Sequence, residues 1–230
     1  MSADALLIGA HPDDIEIGMG GTAAALAKAG YSIVMVDLTD GEPTPFGTPE
    51  IRARESAAAA EIIGAKKRIT LPNTNRELFD SVDTRKQVAA LIREYKPALL
   101  FVPYWDDAHP DHLQAHNLSI GARFYSKFVK SDLPFEPHLP RRVFYYFSVH
   151  FRLNYTPSFL FDVSDTIEAK FASLAAYQSQ FVTNKANSRF IEELRTENAY
   201  WGNRIGTSYA EPFVVKEQLR VTNAKTLIDL

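Results

Sequence analysis

"ALLIGAHPDDIEIGMGGTAAALAKAGYSIVMVDL", residues 5–38, is the stretch that decides the fold. "ALLIGA" (5–10) is a short continuous apolar run, the mark of a strand buried on both faces. "TAAALAKAG" (22–30) predicts a helix, with Gly30 as its C-terminal cap. "YSIVMVDL" (31–38), β-branched and apolar, predicts a second strand. Strand, helix and strand in succession make a βαβ unit, whose crossover is right-handed and whose strands lie parallel.

Working outward, the alternation continues. Residues 39–49 are dense in turn formers, 50–64 predict a helix ending at Gly64, and 67–71 a third strand. A helix over 81–97 has Ser81 as N-cap and Pro97 just past its end. "ALLFVP" (98–103) is a fourth buried strand, "YWDDAHP" (104–110) a loop, and 111–128 a helix. After the proline-rich connection 131–142, strands are predicted at 143–148 and 158–163 and helices at 165–180 and 188–205. The fold class is therefore α/β: a mostly parallel sheet with helices on both faces in a single domain, 1–230, with its βαβ core at about 1–130 and further strands and helices at about 140–230.

Composition narrows the function. The chain has 230 residues, 46% hydrophobic and 23% charged, ordinary values for a globular protein with a substantial core. A net charge of −3, with no basic run longer than Lys66-Lys67-Arg68, argues against a nucleic-acid partner. The absence of cysteine excludes disulfides, thiolate nucleophiles and cysteine-held zinc, so any metal must be held by His, Asp or Glu. With no long apolar stretch and no signal-peptide pattern, a cytoplasmic protein without a membrane partner is expected.

"HPDD" (11–14) lies just past the first strand, where ligands bind in such sheets. Two neighbouring carboxylates repel unless a cation or a proton neutralises them. His11 and Asp14 are suitable metal ligands; a turn with a helix N-cap is the plainer reading of the same four residues. Gly18, Gly20 and Gly21 do not match a dinucleotide-binding fingerprint and are read as a tight turn with close backbone approaches. A second cluster, "DDAHPDHLQAH" (106–116), follows the fourth strand and holds three of the six histidines. His109 and His112 are spaced i,i+3 and His112 and His116 i,i+4, so spacing leaves open which one is a ligand. Together the clusters can supply His11, Asp14 and one histidine, three ligands with a position left for water, as in catalytic zinc sites. Asp13 is then placed to accept a proton, and a second-cluster histidine to stabilise an oxyanion.

"AHPDDIEIGMGGT" with "HPDH" resembles the PIG-L/LmbE-like metal-dependent de-N-acetylases. "DLTDGE" (37–42), "GTPEIRARE" (47–55) and "YWGNRIGTSYAEPF" (200–213) extend the resemblance, which is nearest to the bacillithiol-type branch acting on N-acetylglucosaminyl-malate. The resemblance implies a Rossmann-like sheet, with His11, Asp14 and His112 as ligands of Zn2+ or another divalent metal. It implies Asp13 as general base, His109 as the imidazolium that stabilises the tetrahedral intermediate, and Arg52 and Arg142 as substrate contacts. It further implies a small N-acetylated amino sugar as substrate, malate- or chitooligosaccharide-like, and a homo-oligomer, hexamer or trimer. Where some relatives carry arginine before HPDH, this chain has Ala108.

Two alternatives remain: a catalytically silent member that binds a sugar or nucleotide, and a receiver-like magnesium module, which gives His11 and HPDH no role. Glu16 is read as a partner orienting a ligand imidazole, and Asp106 and Asp107 either as partners of His109 or as loop acids. His116 is read as a helix-face residue. Tyr200 and Tyr209 are candidates for a C-terminal contribution to the site.

Overall fold

Strand residues 6 and 8 face one way and 5 and 7 the other, and both faces are apolar, so β1 (Ala5–Gly9) has no solvent side. Leu6 and Ile8 pack with Val34, Val36, Leu100 and Val102 under one helical layer. Ala5 and Leu7 pack with Ile33, Met35 and Phe101 under the other. The computed structural model describes residues 2–148, 150 and 153–220. Its order is β1, α1 (Asp14–Lys28), β2 (Ile33–Thr39), α2 (Pro49–Ile63), β3 (Lys67–Asn73), α3 (Val82–Tyr95), β4 (Leu99–Pro103) and α4 (Pro110–Tyr125), then β5 (Arg142–Tyr146), β6 (Phe159–Asp162), α5 (Ile167–Ala175), α6 (Phe190–Asn203) and β7 (Ala210–Val214). Ser81 caps α3 in a reciprocal capping box with Thr84, and Gly64 closes α2 at φ 81°.

The seven strands form one sheet in the order β3-β2-β1-β4-β5-β7-β6. β3, β2, β1, β4 and β5 run parallel, and β7 runs antiparallel to both β5 and β6. The chain moves outward from β1 to β2 and β3, then returns to β4 on β1's other side. The crevice between the ends of β1 and β4 is therefore the topological switch point. A receiver domain orders its strands 2-1-3-4-5, so this order removes the receiver-like reading. Among the described residues, no helix is long and apolar enough to cross a membrane.

Two differences from the sequence reading concern the site. α1 starts at Asp14, within the motif, rather than near residue 22, and the glycines lie inside it. Met19 (φ −151°, ψ 23°) breaks the helix there. A Cβ on Gly18 would stand 2.2 Å from the Tyr146 ring, and one on Gly21 2.7 Å from Val163, so these glycines permit close packing. β7 was not anticipated. Its fully buried Glu211 caps the second half of α1, accepting from the Gly21 and Thr22 N–H groups at 3.0 and 2.7 Å, and from Lys170 Nζ at 2.6 Å. Removing one partner of a buried ion pair strands the other charge. Glu211→Ala is expected to lower the unfolding free energy by about 3–5 kcal/mol in reversible urea unfolding; a loss below about 1 kcal/mol would show that the pair does not hold the break in α1.

Candidate functional site

His11 follows β1 and His112 sits in the first turn of α4, which the loop after β4 leads into; neighbouring parallel strands thus carry both to one edge. His112 Nε2 is 3.3 Å from His11 Nδ1 and 3.3 Å from Asp14 Oδ1, and His11 Nδ1 is 3.6 Å from Asp14 Oδ2. Ligand atoms about 2.1 Å from a tetrahedral zinc ion stand roughly 3.4 Å apart. The three side chains thus fit a single divalent ion, and the donor set suits zinc.

Each imidazole is oriented by a carboxylate on its other nitrogen. His112 Nδ1 lies 2.6 Å from Asp107 Oδ2, and His11 Nε2 lies 3.1 Å from Asp111 Oδ2. With those nitrogens donating, the lone pairs of His112 Nε2 and His11 Nδ1 face the shared point. Burial alone would push both rings down in pKa. The carboxylates outweigh it, holding His112 at about 10, chiefly through Asp14 and Asp107, and His11 at about 9, through Asp111 and Asp14. The same imidazoliums outweigh burial at Asp14, which lies well below the carboxylate range. A metal ion entering here takes the place of protons, so its binding releases them. Asp107→Ala is expected to weaken zinc binding about 10–100-fold in a chelator competition; unchanged affinity would deny Asp107 its orienting role.

Asp13 stands beside these groups at φ 107°, a conformation rare for a residue with a Cβ. Burial pushes its carboxyl up to about 6, against the pull of Arg52. Arg52 Nη2 donates to Asp13 Oδ2 at 2.9 Å and to the Pro12 carbonyl at 2.8 Å, and the side chain is only 4% exposed. The guanidinium expected to hold substrate thus reaches the site from behind Asp13. Tyr177 lies under it, 5.4 Å from ring centre to guanidinium carbon. His109 is the N-cap of α4, its Nδ1 accepting from the Asp111 N–H at 3.2 Å, and its ring centre is 4.7 Å from that of His11. The neutral ring therefore offers Nε2–H. Burial and the charges on His11 and His112 lower its pKa to about 4.

Arg142 is a correction. It is the first residue of β5, paired with Leu99 at the start of β4. It sits at the N-terminal edge, about 13 Å of strand from the ends that carry the site, and among the described residues its side chain bonds only the Arg141 carbonyl. Glu16 is a second correction: fully buried, it accepts from Arg68 and from Tyr177 Oη rather than orienting an imidazole. Asp107 orients His112 through its side chain and meets His109 only at the backbone N–H, while Asp106 is exposed. His116 bonds the Pro103 carbonyl and Lys216 on the helix face, apart from the metal cluster. Tyr200 is 55% exposed on α6, and Tyr209 packs with the α5 cluster.

Three contributors escaped the sequence reading. Ser148 Oγ donates to Asp14 Oδ1 at 2.9 Å. The N–H of Arg76, held at φ 69°, donates to Asp111 Oδ2 at 2.7 Å. His150 Nδ1 lies 3.2 Å from Asp107 Oδ1. Only Asp111, within HPDH, belongs to a motif that could have signalled this arrangement.

A family model described as GlcNAc-PI de-N-acetylase, PIG-L, matches residues 6–122. A diacetylchitobiose deacetylase of Thermococcus kodakarensis is 32% identical, over 90% of this chain and 80% of its own. The crystal structure of the conserved protein TT1542 from Thermus thermophilus superposes with TM-score 0.89 at 35% identity, covering 96% of this chain and 98% of that one. The N,N'-diacetylchitobiose deacetylase of Pyrococcus horikoshii, solved with an inhibitor, gives TM-score 0.81 at 27% identity, covering 98% and 89%.

Proposed function

The chain belongs to the GlcNAc-PI de-N-acetylase (PIG-L) family, and we propose that it removes the acetyl group from a small N-acetylglucosamine-containing molecule, malate-linked or chitooligosaccharide-like. In this reading His11, Asp14 and His112 hold a zinc ion or another divalent cation, Asp13 is the general base, and His109 donates to the developing oxyanion. The observation that carries it is the meeting of His11 Nδ1, His112 Nε2 and the two oxygens of Asp14, the closest pair from each two residues at 3.3–3.6 Å, with the Asp13 carboxylate beside them.

A cation bound there supplies Lewis acidity, which acidifies water and polarises the acetyl carbonyl. Arg52 occupies only Oδ2 of Asp13; Oδ1 has no hydrogen bond among the described residues and is the atom that accepts the proton of the attacking water. As water adds to the carbonyl, His109 Nε2–H faces the oxygen that gains charge. The C–N bond then breaks, the amine takes the proton that Asp13 has held, and acetate leaves. Asp107 and Asp111 keep both ligand imidazoles in the required tautomers throughout.

Amine release is the test, with zinc-loaded and metal-stripped protein on a panel of N-acetylglucosaminides. Turnover that requires the metal supports the proposal. Saturable sugar binding with no amine released from any substrate would return the silent-member reading. A homo-oligomer, hexamer or trimer, in the cytoplasm completes the proposal; the exposed side chains of Phe79, Val82 and Phe124, on or beside the mutually packed α3 and α4, support its assembly.

A further inference from the structure

At the other edge of the sheet, where β4 and β5 begin, lies a cavity of about 510 Å³. Ala98 and Leu99, at the start of β4, line it together with Arg123 from the last turn of α4. Of its seven lining residues three are arginines, Arg123, Arg141 and Arg142, and none is acidic. The metal cluster stands beyond the opposite ends of these parallel strands, so a ligand here leaves the site of chemistry free.

The three guanidiniums are not alike. Arg123 is already matched: Nε and Nη2 donate to the Pro140 carbonyl at 3.3 and 3.2 Å, and Nη1 pairs with Glu217 at 3.0 Å. Arg141 and Arg142 are pinned by their backbones, whose N–H groups both donate to the Ala98 carbonyl. Arg142 Nη1 folds back onto the Arg141 carbonyl at 3.0 Å, and the residue is half-buried rather than extended into water. Among the described residues, the Arg141 side chain has no hydrogen bond, and neither arginine meets a carboxylate. Two positive charges thus stand unmatched at one cavity, in a chain whose net charge is −3. Neighbouring like charges repel until an anion joins them.

We infer that this cavity binds a phosphate group, free or carried by a small organic molecule. A phosphate bears about −1.5 to −2 charges near neutral pH, which matches the two unpaired guanidiniums. Its oxygens accept from two guanidinium forks at once, each fork giving a bidentate pair. A single carboxylate has one charge and would leave the second arginine unmatched. Leu139, 44% exposed, and Pro140 supply an apolar edge for the organic part of a phosphate monoester. The inference stands apart from the deacetylase reading.

Calorimetric titration at fixed ionic strength is the test, with inorganic phosphate, glycerol phosphate and acetate as probes. It uses the zinc-loaded protein and its His112→Ala variant, whose metal centre is broken, so that an anion held by zinc is told apart from one held by the arginines. Phosphate is expected to bind once per chain in both proteins, with Kd below about 1 mM. Arg141→Ser with Arg142→Ser is expected to weaken it about 10–100-fold. Neither side chain holds another part of the described structure beyond the Arg141 carbonyl, so the double variant keeps its fold. Tighter binding of glycerol phosphate would assign the cavity to a phosphate monoester, and equal binding to phosphate itself; either result supports the proposal. Phosphate affinity unchanged in the double serine variant would overturn it. Binding that His112→Ala loses would also overturn it, by placing the anion at the metal. So would acetate binding as tight as phosphate in His112→Ala, or no saturable phosphate binding below about 10 mM.

Discussion

Asp13→Asn lowers kcat about 10²–10⁴-fold, the usual contribution of a positioned general base, while the protein keeps its bound metal. Asparagine is the informative replacement, because it tolerates positive φ much as aspartate does; it removes the acceptor charge and leaves the backbone at φ 107° undisturbed. Metal content measured alongside steady-state kinetics separates loss of the base from loss of the centre. Asp13→Gly adds a second readout. It frees a conformation that costs about 1–3 kcal/mol in a residue with a Cβ, but it strands the buried Arg52 guanidinium at a cost of about 3–5 kcal/mol, so it should lower thermal stability as turnover collapses. A kcat within about ten-fold of the parent in the asparagine variant, with metal in place, would remove Asp13 from the chemistry.

His112→Ala abolishes both turnover and the stabilisation conferred by zinc. Ligands that bind only the folded state stabilise it by mass action, about 2.7 kcal/mol at a hundred-fold excess over Kd. The parent protein should show an increment of that order in urea unfolding, and His112→Ala should show none, because two remaining ligands leave Asp14 and His11 without the third corner of the site. His116→Ala serves as comparison: its ring bonds Pro103 and Lys216, so zinc should still stabilise that variant. Zinc stabilisation of His112→Ala equal to the parent's would place the metal elsewhere.

Much of the fold was readable because local signals and burial agreed. Apolar runs at 5–10, 31–38 and 98–103 became β1, β2 and β4, and Ser81 and Gly64 cap the helices they were expected to cap. The failures have particular causes. Residues 18–21 read as a turn because glycine has poor helix propensity; the Tyr146 ring, Val163 and the Glu211 carboxylate impose the broken helix from more than a hundred residues away. β7 was missed because Glu211 and Pro212 contradict a strand pattern, yet it joins β5 to β6 and supplies the cap. Arg142 was misplaced because it precedes a strand, and in a parallel strand that end faces away from the ligand edge.

Sequence by itself determined that two polar turns follow two buried strands, that only His, Asp and Glu could hold a metal, and that Asp13 and Asp14 stand at the first strand's end. Spacing left His109, His112 and His116 open and only the family resemblance named His112; tertiary structure decided that His112 meets His11 and Asp14, that Asp107 and Asp111 orient the two imidazoles, and that Arg52 stands behind Asp13. The reason is geometric. On a helix, residues three and four apart occupy nearly the same face, so the spacing of 109, 112 and 116 holds no preference until the sheet brings His11 to one of them across about a hundred residues of chain.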